Sequence, residues 1–144
     1  MFRVTRRYRF AASHRLHSEA LSQEENQALY GKCNNPYGHG HNYEIDVSVR
    51  GPLDESTGRA VDLGVLDALV AREILAPFDH RNLNAEIDSF AQVVPTTENL
   101  AREIGRRLRR HWSTAFPDGC PKLAKIRIVE TPRNIFEISN DEIE

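Results

Sequence analysis

Two stretches of this chain alternate with a period of two, and nothing else in the sequence constrains the fold as tightly. Phe2, Val4, Tyr8, Phe10, Ala12 and His14 fall on one parity, with Arg3, Thr5, Arg7, Arg9 and Ser13 on the other. Arg6 is the single lapse on the apolar side. From residue 39 the pattern resumes, with His39, His41, Tyr43, Ile45, Val47 and Val49 set against Gly40, Asn42, Glu44, Asp46, Ser48 and Arg50. Successive side chains of a strand point to opposite faces, so each run reads as a half-buried strand. If the two pair antiparallel, the end of the first meets the start of the second. His14 then lies beside His39 and His41 on the apolar face.

The rest of the chain fits around this pair. Residues 15–38 form a long polar connection in which Ser22 and Glu25 make a capping box for a short helix through about Tyr30. Asn34, Asn35, Pro36, Tyr37 and Gly38 supply turn chemistry. Residues 63–75 carry Leu63, Leu66, Val70 and Ile74 at helical spacing, and Pro77 is expected to stop them. Residues 97–112 repeat Leu100, Ile104, Leu108 and Trp112, with Thr96 or Thr97 as N-cap. Two strands close the order, one with Ala124, Ile126, Ile128 and Glu130 on one face, the other with Asn134, Phe136 and Ile138. The expectation is an α+β fold of order ββααββ, an antiparallel four-stranded sheet with two helices on one face, in a single domain over residues 1–144.

Composition mainly excludes. A formal net charge of −2 gives no reason to expect nucleic acid or an anionic membrane as partner. The apolar stretches are too short to span a bilayer, and the first residues, MFRVTRRYRF, lack a signal-peptide core. Two cysteines, Cys33 and Cys120, make no disulfide framework, so a reducing cytoplasmic setting is expected, with Cys33 a thiol.

The chemistry is concentrated at the paired strand ends. A His-x-His pair on one face is a two-pronged nitrogen clamp, and His14 supplies a third prong. Three protein ligands with an open fourth position is the pattern of a catalytic zinc. His17 competes for the third place, but parity puts it on the opposite face if the strand continues. Cys33, in a polar loop leading into the histidines, is then free to act as base or nucleophile, and neighbouring Lys32 would lower its pKa. Asp79 and His80 read either as a carboxylate orienting an imidazole or as a histidine meeting a helix C-terminus. Glu130 ends an apolar face and needs either an arginine or a ligand with two adjacent N–H donors. Thr96, Thr97 and Glu98 suit helix capping. His111 reads as a satisfied structural histidine, and Arg102, Arg106, Arg107, Arg109 and Arg110 as a solvated helix face.

With those residues in hand, the chain resembles the 6-pyruvoyltetrahydropterin synthase family over nearly its whole length. The resemblance is carried by FAASHRLH (10–17), GKCNNP (31–36), GHGHNY (38–43), Asp79-His80 with Leu83 and Asn84, TTEN (96–99), and Glu130-Thr131. It implies zinc on His14, His39 and His41, one ion per subunit, and Cys33 as the proton-abstracting base. It further implies Asp79 and His80 as a proton relay, Glu130 as the pterin anchor, and Thr96, Thr97 and Glu98 near the pterin. The implied reaction is conversion of 7,8-dihydroneopterin triphosphate to 6-pyruvoyltetrahydropterin with loss of triphosphate. Arg7, Arg15 and Lys32 are the first cations to consider for the triphosphate, which Mg2+ could accompany. The implied fold is the tunnelling (T-fold) unit, self-associating into a barrel as a trimer or a dimer of trimers with sites between subunits.

The main alternative is the sister 6-carboxytetrahydropterin synthase branch, which acts on the same substrate. That branch usually has three residues between the cysteine and the first metal histidine, and this chain has five, Asn34 through Gly38. A non-catalytic pterin- or metal-binding module on the same fold is a further alternative. The set of Cys33, Asp79 and His80 argues against it, because mere binding needs no base.

Overall fold

Phe2–His14 (β1) and His39–Gly51 (β2) form one long antiparallel ladder, with His14 opposite His39 and Ala12 opposite His41. In this computed structural model, which describes residues 1–144, parity and pairing therefore agree. Phe10, Ala12, Tyr43, Ile45, Val47 and Val49 are buried on one face. The lapse at Arg6 is met by Asp67 on a covering helix, which also takes the Tyr8 hydroxyl.

Between the strands, Gln23–Tyr30 (α1) starts at the Ser22–Glu25 capping box, and Gly31–Asn34 follows as a 3-10 turn. After β2 come Leu63–Val70 (α2), a π-helical segment over Ala71–Leu75, and Ala76–Phe78 (α3). Pro77 does not stop this helix, which continues to Phe78. The wider π turn already interrupts the regular ladder, so the missing proline N–H is tolerated there. Arg81–Asn82 (β3), Leu83–Glu86 (α4), Thr97–Ala115 (α5), Lys122–Thr131 (β4) and Asn134–Ser139 (β5) complete the chain.

The sheet has five strands, not four, in the order β3-β1-β2-β4-β5, and β3 pairs parallel with Ala12 and Ser13 of β1. Two residues have no periodicity to read, which is why sequence reasoning misses them. β4 also departs from strict alternation. A bulge between its pairings with Ser48 and Val49 buries Leu123 where parity favoured Ala124.

The core lies between the sheet and α2 and α5, where Leu66, Leu69, Ile74, Leu100, Ile104 and Leu108 are fully enclosed. Each such side chain contributes about 1.5–3 kcal/mol. The arginines of α5 are only partly a solvated face. Arg107 pairs with Glu103 at 2.9 Å and lies over the Phe78 ring, while Arg102, Arg106 and Arg109 hold Ile143 and Glu144 along the helix. His111 faces Glu73 at 3.5 Å. No helix is long and apolar enough to cross a membrane.

Candidate active site

Cross-strand register delivers three imidazoles to one point. The ring centroids of His14, His39 and His41 lie 4.6–5.2 Å apart. With Cys33, the four residues can place one ligand atom each within 4.8 Å of one another. His14 is 1% exposed, and its Nδ1 lies 2.9 Å from the Pro95 carbonyl oxygen. A carbonyl only accepts, so Nδ1 carries the proton and Nε2 presents a bare lone pair. That Nε2 faces His39 Nε2 at 3.3 Å, and His41 Nε2 is buried with no hydrogen-bond partner at all. Buried polar atoms are almost always paired. An orphaned nitrogen beside two converging nitrogens and a thiol is the donor set of a divalent metal of the zinc type, so the residues fit such an ion.

Cys33 is presented by the 3-10 turn, which is clamped to the chain leaving β1. Leu16 N–H donates to the Cys33 carbonyl at 2.7 Å, and the buried Asn34 amide donates to the Leu16 carbonyl at 2.7 Å. Asn34 also meets His17 Nδ1 at 3.0 Å, so His17 is engaged outside the cluster, which His14 joins instead. Gly38 adopts φ +72°, and a Cβ there would sit 2.8 Å from the His14 carbonyl oxygen, so the loop passes where only glycine fits. The expected lowering of the Cys33 pKa by Lys32 is reversed. Burial, and then the nearby Glu130 charge, push the thiol up.

Glu130 lies at a second bulge, between the β4–β5 pairings of Val129 and Thr131. Its partner is neither of those expected from the sequence. The hydroxyl of Thr97, a residue 2% exposed at the first turn of α5, donates to Glu130 Oε2. Thr96 is the N-cap, accepting from Asn99 N–H at 3.2 Å, whereas Glu98 is exposed.

Asp79 and His80 lead into β3 along the outer edge of β1 rather than into the cluster. Asp79 Oδ1 accepts from Ala11 N–H at 2.9 Å and lies 3.1 Å from His80 Nδ1. His80 N–H donates to the Ala11 carbonyl at 2.6 Å. The His80 side chain is 82% exposed on a backbone of φ 60°. It nevertheless lines the same cavity of about 470 Å³ as His41.

The candidate cations separate. Arg7 is committed to Asp46 at 2.7 Å and Glu44 at 3.1 Å on the opposite face of the sheet, so it does not serve the site. Arg15 gives Nε to the Asn34 carbonyl at 3.2 Å, and Asn84 clasps its backbone N–H and C=O at 2.7 and 2.9 Å. Lys32 and His39 line one polar cavity of about 520 Å³. A separate cavity of about 780 Å³ near Leu53, Val61 and Phe116 holds none of these residues.

Burial also sets a pH dependence. It lowers the His14 pKa from 6.5 to about 4, and it lowers His41 as well. Below its ordinary value the unfolded ring takes up a proton that the folded ring refuses, so the contribution is complete above pH 6.5 and is lost as pH falls toward 4. For His14 alone the loss is roughly 3 kcal/mol. Urea unfolding of metal-free protein across that interval measures it, and a flat profile would contradict the burial of this ring. The same neutrality keeps the rings in the form that binds metal.

Sequence reasoning missed the supporting residues. Tyr43, fully buried, brings its hydroxyl to 3.4 Å from His14 Nδ1, and burial followed by the Glu130 and Cys33 charges raises its pKa. Its parity with His39 and His41 was the signal available. Pro95, Asn34 and Asn84 act through hydrogen bonds to residues distant in sequence, for which a single sequence carries no signal, and Asn99 acts on the turn at Val94 and Thr96.

Comparison with known proteins points the same way. The family model described as 6-pyruvoyl tetrahydropterin synthase matches residues 3–141. A 6-pyruvoyl tetrahydrobiopterin synthase of Poecilia reticulata is 48% identical over 132 residues, covering 92% of this chain and 86% of its own length. The Homo sapiens protein of that name is 46% identical over 132 residues, covering 92% of this chain and 87% of its own. The solved structure of Caenorhabditis elegans 6-pyruvoyl tetrahydropterin synthase superposes with a TM-score of 0.87 at 40% identity, covering 96% of this chain and 94% of its own.

Proposed function

Since the chain belongs to the 6-pyruvoyl tetrahydropterin synthase family, we propose that it is a lyase converting 7,8-dihydroneopterin triphosphate to 6-pyruvoyltetrahydropterin with elimination of triphosphate. The observation that carries this reading is the meeting of His14, His39, His41 and Cys33 within one ligand-sized space.

In this reading His14, His39 and His41 hold one zinc ion per subunit. An ion held there would supply Lewis-acid chemistry, acidifying hydroxyl and carbinol groups brought next to it, and would offset the burial that disfavours a thiolate at Cys33. Cys33 removes a proton from the pterin side chain. His80, oriented by Asp79, returns protons during tautomerisation and loss of the triphosphate. Glu130 grips the two adjacent N–H groups at the pterin edge, with Thr97 holding one carboxylate oxygen and Thr96 and Glu98 bordering the ring. Arg15 and Lys32 remain for the triphosphate, with Mg2+ as its counter-cation.

The exposed His80 suggests a site completed by a second copy. The outer edge of β1 is paired only at Ala12 and Ser13, and β5 is the other edge of the sheet. Copies joined along these edges would form the barrel of a trimer or dimer of trimers. The setting is cytoplasmic, where Cys33 stays reduced.

Incubating zinc-loaded protein with 7,8-dihydroneopterin triphosphate and identifying the product by mass spectrometry tests the reading. A pyruvoyl product is expected. A carboxy product with release of acetaldehyde would move the chain to the sister branch, and binding without turnover would leave a pterin-binding module. Glu130→Gln keeps the shape but loses the charge, so pterin affinity is expected to fall about 10–100-fold. Fluorescence titration reads this, and unchanged affinity would reduce Glu130 to a structural acid.

A further inference from the structure

The turn that opens α5 touches both halves of the site. At Pro95 its carbonyl takes the His14 Nδ1–H at 2.9 Å and so presents Nε2 to the metal position. Two residues on, Thr97 donates to Glu130, the carboxylate read as the pterin anchor. The turn is tight, with Thr96 N–H donating to the Val94 carbonyl at 2.8 Å. One side chain pins it. Asn99 Nδ2 donates to the same Val94 carbonyl at 2.9 Å, and Asn99 N–H donates back to the Thr96 hydroxyl at 3.2 Å.

We infer that Asn99 is a positioning residue that ties the metal half of the site to the pterin half, by holding the Val94–Thr97 turn on which His14 and Glu130 both lean. Neither ring nor carboxylate is hydrogen-bonded to Asn99, so its effect passes through Pro95 and Thr97. Partners behind a metal ligand typically change metal affinity 10–100-fold when lost.

Asn99→Asp separates positioning from stability. Asn99 is the third residue after the Thr96 cap, where an acidic side chain favours the helix, so thermal stability should hold or rise. The carboxylate has no hydrogen to give Val94, and the turn loosens. Zn2+ affinity, measured by chelator competition, and neopterin affinity for metal-free protein, measured by fluorescence quenching, should both fall about tenfold. Asn99→Ala, which removes the donor without adding charge, should show the same pair of losses. A fall in only one affinity, or in neither, overturns the tie. The inference rests on the function proposed above, and the parent protein separates the two. If the parent binds neither probe, that function fails. If the parent binds both and the variants match it, the inference alone fails.

Discussion

Replacing Cys33 with alanine leaves zinc bound and lowers turnover by about 10²–10⁴-fold, the contribution of a positioned general base. The thiol stands in the ring of metal donors but is pushed toward its protonated form by burial and by Glu130. It is therefore no ready base on its own, and in the function proposed above a bound ion would supply the missing activation. Metal content and turnover must be read together. Retained zinc with lost turnover assigns the proton to Cys33. Zinc lost along with turnover would make the sulfur a fourth ligand, and turnover within about tenfold of the parent would hand the proton to another group.

Substituting His41 with alanine should remove the metal itself. Its Nε2 is the one ring nitrogen of the cluster that is buried without any hydrogen-bond partner. Zinc affinity is expected to drop by more than about 100-fold, beyond what loss of a supporting hydrogen bond produces. Activity should vanish with it. The strand should survive, because His41 stands at the end of a thirteen-residue ladder whose buried members begin at Tyr43. Chelator competition and circular dichroism check both halves. Full zinc stoichiometry in the variant would overturn the ligand assignment.

Much of the architecture was legible because strand parity is a strong signal. His14, His39 and His41 were brought together by counting alone, and the ladder pairs them as counted. What escaped is short or irregular. β3 has two residues, the bulges at Ala124 and Glu130 break the alternation that would reveal them, and the π segment carries the second helix past Pro77. The meeting of the three histidines with Cys33 was legible, and the residues that support it were not. Pro95 lies 81 positions from His14, and Thr97 lies 33 from Glu130, so neither contact leaves a local trace. Lys32 misled for the converse reason. It adjoins Cys33 along the chain, but the thiol responds to burial and to a carboxylate from β4.

The left-handed backbone at His80 sets durability against chemistry. A residue with a Cβ is disfavoured at φ 60°, whereas glycine rests there freely. Glycine at this position would make a sturdier protein, but one without the imidazole proposed above to carry protons. Selection for heat tolerance alone would thus favour glycine at residue 80, and under the proposed role that gain would come at the expense of turnover.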